Sequence, residues 1–346
     1  MKKTISLILA VTCLALNVVT LSSCEKKMQE RFSAHSFDYF DTATTIIGYA
    51  DSQQEFDEIR GKIERQLREY HKLYTIYNSY EGVNNLCALN KVKNGSHEKL
   101  VVDKKIIDLL NYSKEMYEVT DGNVNIAMGS VLSIWHKHRN YGLNNPDKAA
   151  LPPIDELKEA QKHMSIEAIV IDEKESTVFI SDPQATIDVG AIAKGYAVER
   201  IIESLVEDGI TGVLLNVGGN VRSIPREDGE KWRVGIENPD KTSAQAYIKE
   251  IAIDNKSVVT SGSYQRFYTV NGKNYHHIID KETLMPCEKF SSVTIVCEKS
   301  DIADAYSTAL FIMDYEEGRA LAEKTAGVEA MWVFPDGTIK TTKNFQ

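Results

Sequence analysis

The chain has 346 residues, of which 42% are hydrophobic and 26% charged, and this balance excludes a disordered or collagen-like chain. Its 50 acidic and 40 basic residues give a net charge of −10, and an acidic chain without a long basic run is a poor candidate for nucleic-acid binding. None of the five cysteines stands in a Cys-x-x-Cys pair, so a zinc or iron–sulfur site is not indicated.

The first residues have the pattern of a bacterial export signal. Lys2 and Lys3 precede a short apolar run, and the sequence LSSC follows it and ends at Cys24. The run is shorter than the ~20 apolar residues of a stable membrane span. Its end resembles a lipobox; an ordinary signal peptide, or an anchor helix with a chance cysteine, is the alternative. We expect residues 1–23 to be a lipoprotein signal peptide and the mature chain to be exported, anchored in the inner or outer membrane by lipidated Cys24 and facing the periplasm.

The predicted elements begin with a polar tether at residues 24–36 and a Thr- and Ile-rich strand at residues 37–49. Apolar residues recur at steps of three and four over residues 56–74, which predicts an amphipathic helix. Asp103 is placed to cap a second helix, which is predicted to end near Val119 in a turn-forming sequence, TDGN.

Short strands and a few helices alternate in the second half of the chain. Residues 166–171 and 177–180 predict strands around a turn, and residues 191–206 predict a helix that ends before Gly209. Residues 213–217 predict a buried strand. Further strands are predicted at residues 232–236, 247–253, 267–270, 276–279, 293–296 and 331–334.

The fold class follows from this mixture of elements. Ser300 is placed to cap a helix at residues 301–313. Polar residues 143–153 predict a loop, but motifs of interest lie on both sides of it, so we expect one large domain at residues 37–346. Several strands are close enough to form hairpins, which favours an α+β fold over a doubly wound sheet.

The strongest local motif is the sequence TIDVGAIAKGYA at residues 186–197, where a strand is predicted to turn through Gly190 into a helix. The first turn of a helix offers free N–H groups and a favourable dipole to a phosphate, and Lys194 would add a positive charge. The sequence of a Walker loop is absent. The motif therefore fits either a nucleotide-phosphate site or a tight strand–helix connection with a solvated lysine.

Two further segments carry polar groups beside a predicted strand. The sequence NVGGN at residues 216–220 fits either a close approach of the backbone to a ligand or a simple turn. In the sequence YHHIID, His276 and His277 would point to opposite faces of a strand, so only one of them can face a given cleft. A histidine there can act as a general base near neutral pH, although a lone histidine is more often structural.

A helix near the end of the chain carries a possible metal site. Asp304 and Thr308 are four residues apart and therefore share a helix face. A carboxylate and a hydroxyl are hard oxygen ligands, which suit Mg²⁺ or Ca²⁺ when water, carbonyls and phosphates complete the shell. A cap-like hydrogen bond between the two side chains is the alternative.

Five motifs follow one another as they do in the FAD:protein FMN transferases, the ApbE-type flavin transferases. They are DVGAIAKGYA, NVGGN, TSGSYQR, YHHIID and ADAYSTAL, and the resemblance covers roughly residues 40–334. It implies an α+β fold related to the tunnelling (T-fold) architecture. It also implies an enzyme that binds FAD with Mg²⁺, cleaves the pyrophosphate and releases AMP. The FMN would pass to a threonine or serine hydroxyl of an exported protein as a phosphoester.

The resemblance further implies roles for individual residues. The Ala191 carbonyl and the side chains of Asp304 and Thr308 would ligate the metal, with Asp304 and His277 as the catalytic residues and His277 as the base. Many family members carry an aspartate where this chain has Asn125. The expected contacts to FAD are Thr44, Tyr77, Asn123, Val124, Asn125, Asp188, Lys194 and His277.

Two other functions remain open from the sequence. Some relatives of this kind hydrolyse FAD to FMN and AMP, so the chain is alternatively an FAD pyrophosphatase. A lipoprotein that binds flavin without turnover is the other possibility. The expected partners are FAD, an exported flavin-acceptor protein and, through Cys24, a membrane, and no nucleic acid is expected.

Overall fold

The computed structural model describes residues 29–92 and 98–345, which contain fifteen strands and eight α-helices. The strands are β1 (Glu30–Tyr39), β2 (Thr42–Ala50), β3 (Leu100–Val101), β4 (Ile169–Asp172), β5 (Thr177–Ile180), β6 (Val213–Val217), β7 (Asn220–Ser223), β8 (Trp232–Glu237), β9 (Tyr247–Ile253), β10 (Ser257–Gly262), β11 (Phe267–Val270), β12 (Lys273–His276), β13 (Ser292–Cys297), β14 (Glu329–Val333) and β15 (Ile339–Thr341). The helices are α1 (Gln53–Tyr74), α2 (Leu86–Val92), α3 (Lys104–Val119), α4 (Gly129–Asn144), α5 (Ile154–Gln161), α6 (Ala193–Glu207), α7 (Ser300–Ile312) and α8 (Tyr315–Lys324).

An eight-stranded antiparallel sheet is the central element of the fold. Its strand order is β1-β2-β6-β7-β10-β13-β14-β15. Side chains alternate between the two faces of each strand. Leu215 and Ile295 pack into the main core with helices α1, α6, α7 and α8, whereas their neighbours Leu214 and Val296 pack on the opposite face against the hairpin β8-β9. Each face of the sheet is therefore covered, the first by helices and the second by a hairpin.

A third, smaller core lies under α4 and α5. Trp135 of α4, Leu157 of α5 and Tyr268 of β11 are buried together there, and the Trp135 indole donates a hydrogen bond to the carbonyl of Leu284. The strands β11 and β12 form a hairpin, and β3, β5 and β4 form a small antiparallel sheet. The third core places α4 at the end of the large sheet where the candidate site lies.

Most of the predicted elements are present, because hydrophobic periodicity and caps specify them. The amphipathic pattern of residues 56–74 forms most of α1, with Phe56, Ile63 and Leu67 buried on one face. The side chain of Asp103 accepts a hydrogen bond from the Lys105 N–H and caps α3, as predicted. The α+β class is confirmed.

Three local predictions are corrected by the structure. Residues 30–36, assigned to the tether, belong to β1, and the single strand predicted at residues 37–49 is the hairpin β1-β2. The strand β1 lies at the edge of the sheet and alternates exposed with half-buried residues, so its composition is polar like that of a linker. Ser300 does not cap α7: Lys299 occupies the cap position, and the Ser300 hydroxyl has no hydrogen-bond partner among the described residues.

The N-terminal predictions concern a different part of the chain. The signal peptide at residues 1–23 and the lipidation site at Cys24 lie outside the described residues. Within the described ranges, no helix is both long and apolar enough to cross a membrane.

A buried ion pair joins the sheet to α6 and α7. Arg222 of β7 lies 3.1 Å from Glu199 of α6, with side chains 5% and 2% exposed, and the same Glu199 oxygen accepts a hydrogen bond of 2.7 Å from the Ser300 N–H. Replacing Arg222 with methionine should lower the free energy of unfolding by about 3–5 kcal/mol, because Glu199 is left buried without its cation. Urea denaturation measures this loss. The double change Arg222→Met with Glu199→Gln should recover part of it, and equal losses in both variants would contradict the prediction.

Candidate active site

A cavity of about 560 Å³ opens where the turns of the large sheet meet α4, α6 and α7. The turn between β1 and β2, the turn between β6 and β7, the end of β10 and the segment that precedes α6 all contribute to its wall. Ten lining residues carry most of its chemistry: Tyr77, Asn123, His136, Arg139, Asp188, Lys194, Arg266, His277, Asp304 and Thr308. The motifs that are scattered along the sequence thus converge on one enclosed space.

Helices α6 and α7 meet at the floor of the cavity. The Gly195 N–H donates a hydrogen bond of 2.7 Å to one carboxylate oxygen of Asp304, and the Lys194 ammonium lies 3.5 Å from the other. Asn220 lies beside the pair, and in one orientation of its amide it donates to Asp304 at 3.3 Å and accepts from Lys194 at 3.2 Å. Asp304 is only 4% exposed, so these contacts hold its carboxylate in a fixed position facing the cavity.

The close approach of the two helices depends on a glycine. A Cβ atom on Gly195 would lie 2.3 Å from Asp304 Cβ and 2.4 Å from the Ser300 carbonyl oxygen. We expect Gly195→Ala to force α6 and α7 apart and to cost about 3 kcal/mol of unfolding free energy. Thermal denaturation measures the effect. The matched control is Gly61→Ala in α1, where the nearest atom is the flexible end of Arg65 and where helix propensity favours alanine. Similar stability of the two variants would contradict the prediction.

The predicted metal ligands lie around the same space. Ala191, Asp304 and Thr308 all line the cavity. They would offer a carbonyl, a carboxylate and a hydroxyl oxygen, which is the donor chemistry of Mg²⁺ rather than of zinc. Among the described residues there is no group of three or more histidines, cysteines, aspartates or glutamates that could hold a metal by itself. The set therefore fits a cation that shares its coordination shell with substrate phosphates and water.

The strand predicted at residues 276–279 is instead β12, which ends at His276, and the two adjacent histidines have different surroundings. His277 lines the cavity. His276 points into the core, where its Nε2 lies 2.8 Å from the carbonyl oxygen of Cys287 and its ring packs edge-on against Phe311. His276 is therefore structural, and His277 is the histidine available to a substrate.

Burial keeps the His277 imidazole neutral. Desolvation is the largest cause of its shift, and the nearby cations, beginning with Arg266, act in the same direction; together they lower the pKa of His277 to about 3. Its Nδ1 is buried without a hydrogen-bond partner among the described residues. The neutral imidazole has a lone pair that can accept a proton, and a pKa this low makes it a weaker base than an ordinary histidine near neutral pH.

An aromatic and polar group forms another part of the wall. The Tyr77 hydroxyl lies 3.3 Å from His136 Nδ1, and the same ring atom lies 3.9 Å from an Asp188 oxygen. The other oxygen of Asp188 accepts a hydrogen bond of 2.8 Å from the Gly190 N–H, which fixes the loop before α6. Burial is the main cause that raises the pKa of Tyr77 to about 12, so the phenol stays protonated.

The remaining predicted contacts divide into two sets. Asn123 and Asn125 line the cavity, although the Asn125 amide is also bound to the backbone of Met164 and Ala127. Thr44 and Val124 are not part of the lining, because their side chains are 2% and 0% exposed and belong to the interior. Around Thr44 the cavity is lined instead by Thr42, Ala43 and Thr45.

Three cavity residues received no role from the sequence. His136 and Arg139 lie on α4, which was not among the predicted elements. Arg266 stands in the motif TSGSYQR, which identified the segment without giving the arginine a function. A sequence signal for His136 and Arg139 is the short run of basic residues at 136–139, which stands out in an acidic chain.

The fold is α+β, and its cavity brings together cationic, carboxylate, hydroxyl and aromatic side chains. The family model of the ApbE family matches residues 40–332, and the chain belongs to this family. The recognition made from the motifs is confirmed, and with it the assignment as a transferase.

Named relatives cover most of the chain. A FAD:protein FMN transferase of Treponema pallidum is 32% identical over 272 residues, which are 74% of this chain and 72% of the relative. One of Klebsiella pneumoniae is 32% identical over 235 residues, which are 68% of this chain and 70% of the relative. The crystal structure of the ApbE protein of Thermotoga maritima superposes with a TM-score of 0.78 at 27% identity, covering 91% of this chain and 98% of that one.

Proposed function

We propose that the chain is a Mg²⁺-dependent FAD:protein FMN transferase that cleaves FAD to AMP and attaches FMN to a threonine or serine of an exported target protein. The single observation that carries the proposal is the convergence of the neutral His277 with Asp304, Thr308 and Lys194 on one cavity. The relatives' names supply the reaction, and the cavity supplies groups that can perform it.

The base has a definite task in this reaction. The hydroxyl oxygen of the target attacks the flavin-side phosphorus of FAD, a new P–O ester bond forms, and the P–O bond to the AMP phosphate breaks. The hydroxyl proton passes to the His277 imidazole, which is neutral and therefore able to accept it. The leaving AMP phosphate is stable as an anion and needs no proton near neutral pH.

The charged groups of the floor bind the pyrophosphate. Lys194 lies in the first turn of α6, where the backbone N–H groups and the helix dipole also favour an anion. The Ala191 carbonyl, Asp304 and Thr308 would hold Mg²⁺ beside it. When bound, Mg²⁺ neutralises charge that develops on the phosphate oxygens.

The aromatic wall is suited to the isoalloxazine ring. The Tyr77 hydroxyl is hydrogen-bonded to His136, and the two rings lie 5.9 Å apart between centroids with a tilt of 50°, so each offers a separate ring face or edge. An aromatic ring packs favourably on such a face or edge, which positions the flavin and leaves its phosphate near Lys194. Asn123 offers amide groups to the polar edge of the flavin.

The site of action is part of the proposal. The lipobox-like sequence that ends at Cys24 supports an exported lipoprotein in which the catalytic domain is anchored to a membrane. Labelling cells with a clickable fatty acid and comparing the wild type with Cys24→Ser tests this point. Retention of the label by Cys24→Ser would refute lipidation at this residue.

The decisive experiment separates transfer from hydrolysis. The purified chain is incubated with FAD and Mg²⁺, with or without a purified exported flavin-acceptor domain. The AMP released is quantified, and the mass of the acceptor domain is measured by mass spectrometry. A gain equal to FMN on the acceptor, with little AMP released in its absence, supports the transferase. Fast AMP release without an acceptor would instead identify an FAD pyrophosphatase, and bound but intact FAD would identify a flavin-binding protein without turnover.

A further inference from the structure

A second cavity lies beside the candidate active site. Its volume is about 790 Å³, and it lies between the large sheet and the hairpin β8-β9. The two cavities share five lining residues: Asn216, Gly219, Glu237, Thr260 and Gln265. Because the same side chains face both spaces, the second cavity is a groove that leads to the active-site cavity.

The floor of the groove is one face of the large sheet. Its lining includes pairs of residues two positions apart on neighbouring strands, namely Ile47 and Tyr49 on β2, Leu214 and Asn216 on β6, and Val258 and Thr260 on β10. A spacing of two keeps side chains on the same face of a sheet. The floor changes from apolar to polar toward Asn216 and Thr260, which are the members shared with the active-site cavity.

The wall of the groove follows the edge of a strand. Residues 230–237, which include every residue of β8, all line it. Successive side chains of a strand point to opposite faces, so a space lined by all of them runs along the strand's edge. Within the described residues β8 pairs with β9 alone, so its other edge presents unpaired backbone N–H and C=O groups.

The charge of the groove contrasts with that of the chain. Four of its lining residues are basic and two are acidic, whereas the whole chain has a net charge of −10. The basic residues are Arg31, Arg226, Lys231 and Arg233. Arg226 and Arg233 are paired with Asp228 and Glu250, so the positive charge that a bound segment can reach comes from Arg31 and Lys231. These two residues favour acidic side chains in the segment.

We propose that this groove binds an extended acidic segment of the flavin-acceptor protein, which pairs with the free edge of β8 and presents its threonine or serine at the Glu237 end. The inference rests on the proposed transferase function and adds the place where the protein substrate docks. Addition of a strand to an exposed edge supplies backbone hydrogen bonds. The half-buried Ile47 and Tyr49 of the sheet face supply side-chain contacts, whereas Leu214 and Val258 are already covered by the hairpin. The six residues of β8 span about 20 Å, enough to align a segment of similar length.

The geometry explains how a protein hydroxyl enters an enclosed cavity. A segment on β8 that continues past Glu237 and Gln265 passes directly into the space lined by His277. Its hydroxyl oxygen then forms the new P–O bond, AMP leaves with the cleaved bond, and the proton goes to His277. A bound segment also fills the entrance and excludes water, which favours transfer over hydrolysis.

Synthetic peptides test the backbone pairing directly. The probe is a peptide of the length of β8 with aspartates and one terminal threonine, offered with FAD and Mg²⁺ to the full chain, and FMN on the peptide and free AMP are both measured. Two versions of the peptide are N-methylated at alternate backbone nitrogens. We expect one version to lose at least about tenfold in labelling and the other to be labelled normally, because only alternate N–H groups of an added strand face its partner.

Substitutions in the groove test its charge. The double variant Arg31→Glu with Lys231→Glu changes residues that line the groove and not the active-site cavity. It should label the acidic peptide about tenfold more slowly and regain activity with a peptide that carries lysines instead of aspartates. The matched control is Lys174→Glu, an exposed lysine in the turn between β4 and β5, which should behave as the wild type.

The possible outcomes separate a failure of the docking proposal from a failure of the proposed transferase function. Equal labelling of both N-methylated peptides, undiminished labelling by the double groove variant, or the absence of both AMP and labelled peptide from a chain that does label the acceptor domain would overturn the docking groove. Protection from hydrogen exchange, before any peptide is added, of the β8 amides that point away from β9 would also overturn it, because that edge would already be paired. Equally fast AMP release with and without the peptide, and with no labelled peptide, would instead overturn the transferase function itself, because it identifies an FAD pyrophosphatase.

Discussion

Replacing Asp304 with asparagine is expected to slow both AMP release and FMN transfer by about a thousandfold or more. The substitution keeps the side-chain shape and an oxygen that can accept from the Gly195 N–H, but it removes the negative charge. That charge is the single carboxylate in the predicted metal set with Ala191 and Thr308. A site that neutralises pyrophosphate through a cation depends on it, and phosphoryl transfer is accelerated mainly by positioning and charge stabilisation.

The measurement is the initial rate of AMP formation from FAD at saturating Mg²⁺, with circular dichroism to show that the variant is folded. Asp314→Asn is the matched control, since Asp314 follows α7 directly and its side chain is 70% exposed. A rate within a few-fold of the wild type for Asp304→Asn would show that this carboxylate does not take part in the reaction. The affinity for Mg²⁺, measured by titration calorimetry in the presence of FAD, should fall in parallel.

The large sheet and most helices could be predicted because their signals are local. The helix α1 carries a continuous apolar stripe, α3 has Asp103 as a cap, and the buried strand β6 is apolar along most of its length. Each signal depends on residues a few positions apart, so it needs no knowledge of the tertiary structure. The strand order, by contrast, depends on contacts between distant segments and did not follow from these patterns.

Two elements show where local signals fail. The edge strand β1 has the polar composition of a tether, because one side of the strand faces solvent, and its sequence therefore predicts a linker. The helix α4 begins at Gly129 without a side-chain cap, and its buried face includes two glycines and a serine, so it lacks a clear apolar stripe. Packing against β11, including the contact between Trp135 and Tyr268, stabilises it instead.

The motifs in the sequence identify most residues of the candidate site, but they do not predict how these residues are arranged in space. The sequence indicated Asp188, Lys194, His277, Asp304 and Thr308, and all five line one cavity. The contact of Tyr77 with His136 depends on α4, so it could not be foreseen. The buried position of Thr44 follows from the phase of β2, which is set by its pairing with β6 rather than by its own composition.

Replacing His277 with glutamine is expected to slow FMN transfer by about 10²–10⁴-fold while FAD is still bound. The glutamine amide is similar in size and can form hydrogen bonds, but it cannot accept the hydroxyl proton, and that proton transfer is the contribution of a general base. The wild-type rate should not fall near pH 6.5, where an ordinary histidine becomes protonated, because burial and the neighbouring cations lower the pKa of His277 to about 3. The lowered pKa of His277 would be contradicted if the wild-type transfer rate halved at about pH 6.5 while the rate of folded His277→Gln did not.

The lowered pKa of His277 also predicts how the stability of the protein depends on pH. This prediction is tested by unfolding and does not depend on the catalytic role of the residue. Between pH 6.5 and about 3 the unfolded chain binds a proton at His277 that the folded chain does not, so the free energy of unfolding must fall as the pH is lowered through this range. His277→Gln removes the proton difference, and its stability should therefore decline less steeply with acid than that of the wild type. His138→Gln is the matched control for the transfer rate, since His138 lies on α4 outside the cavity lining and the substitution should leave that rate unchanged. Parallel acid-unfolding curves for the wild type and His277→Gln would mean that the pKa of His277 is the same in the folded and unfolded chain, which would contradict the desolvated imidazole.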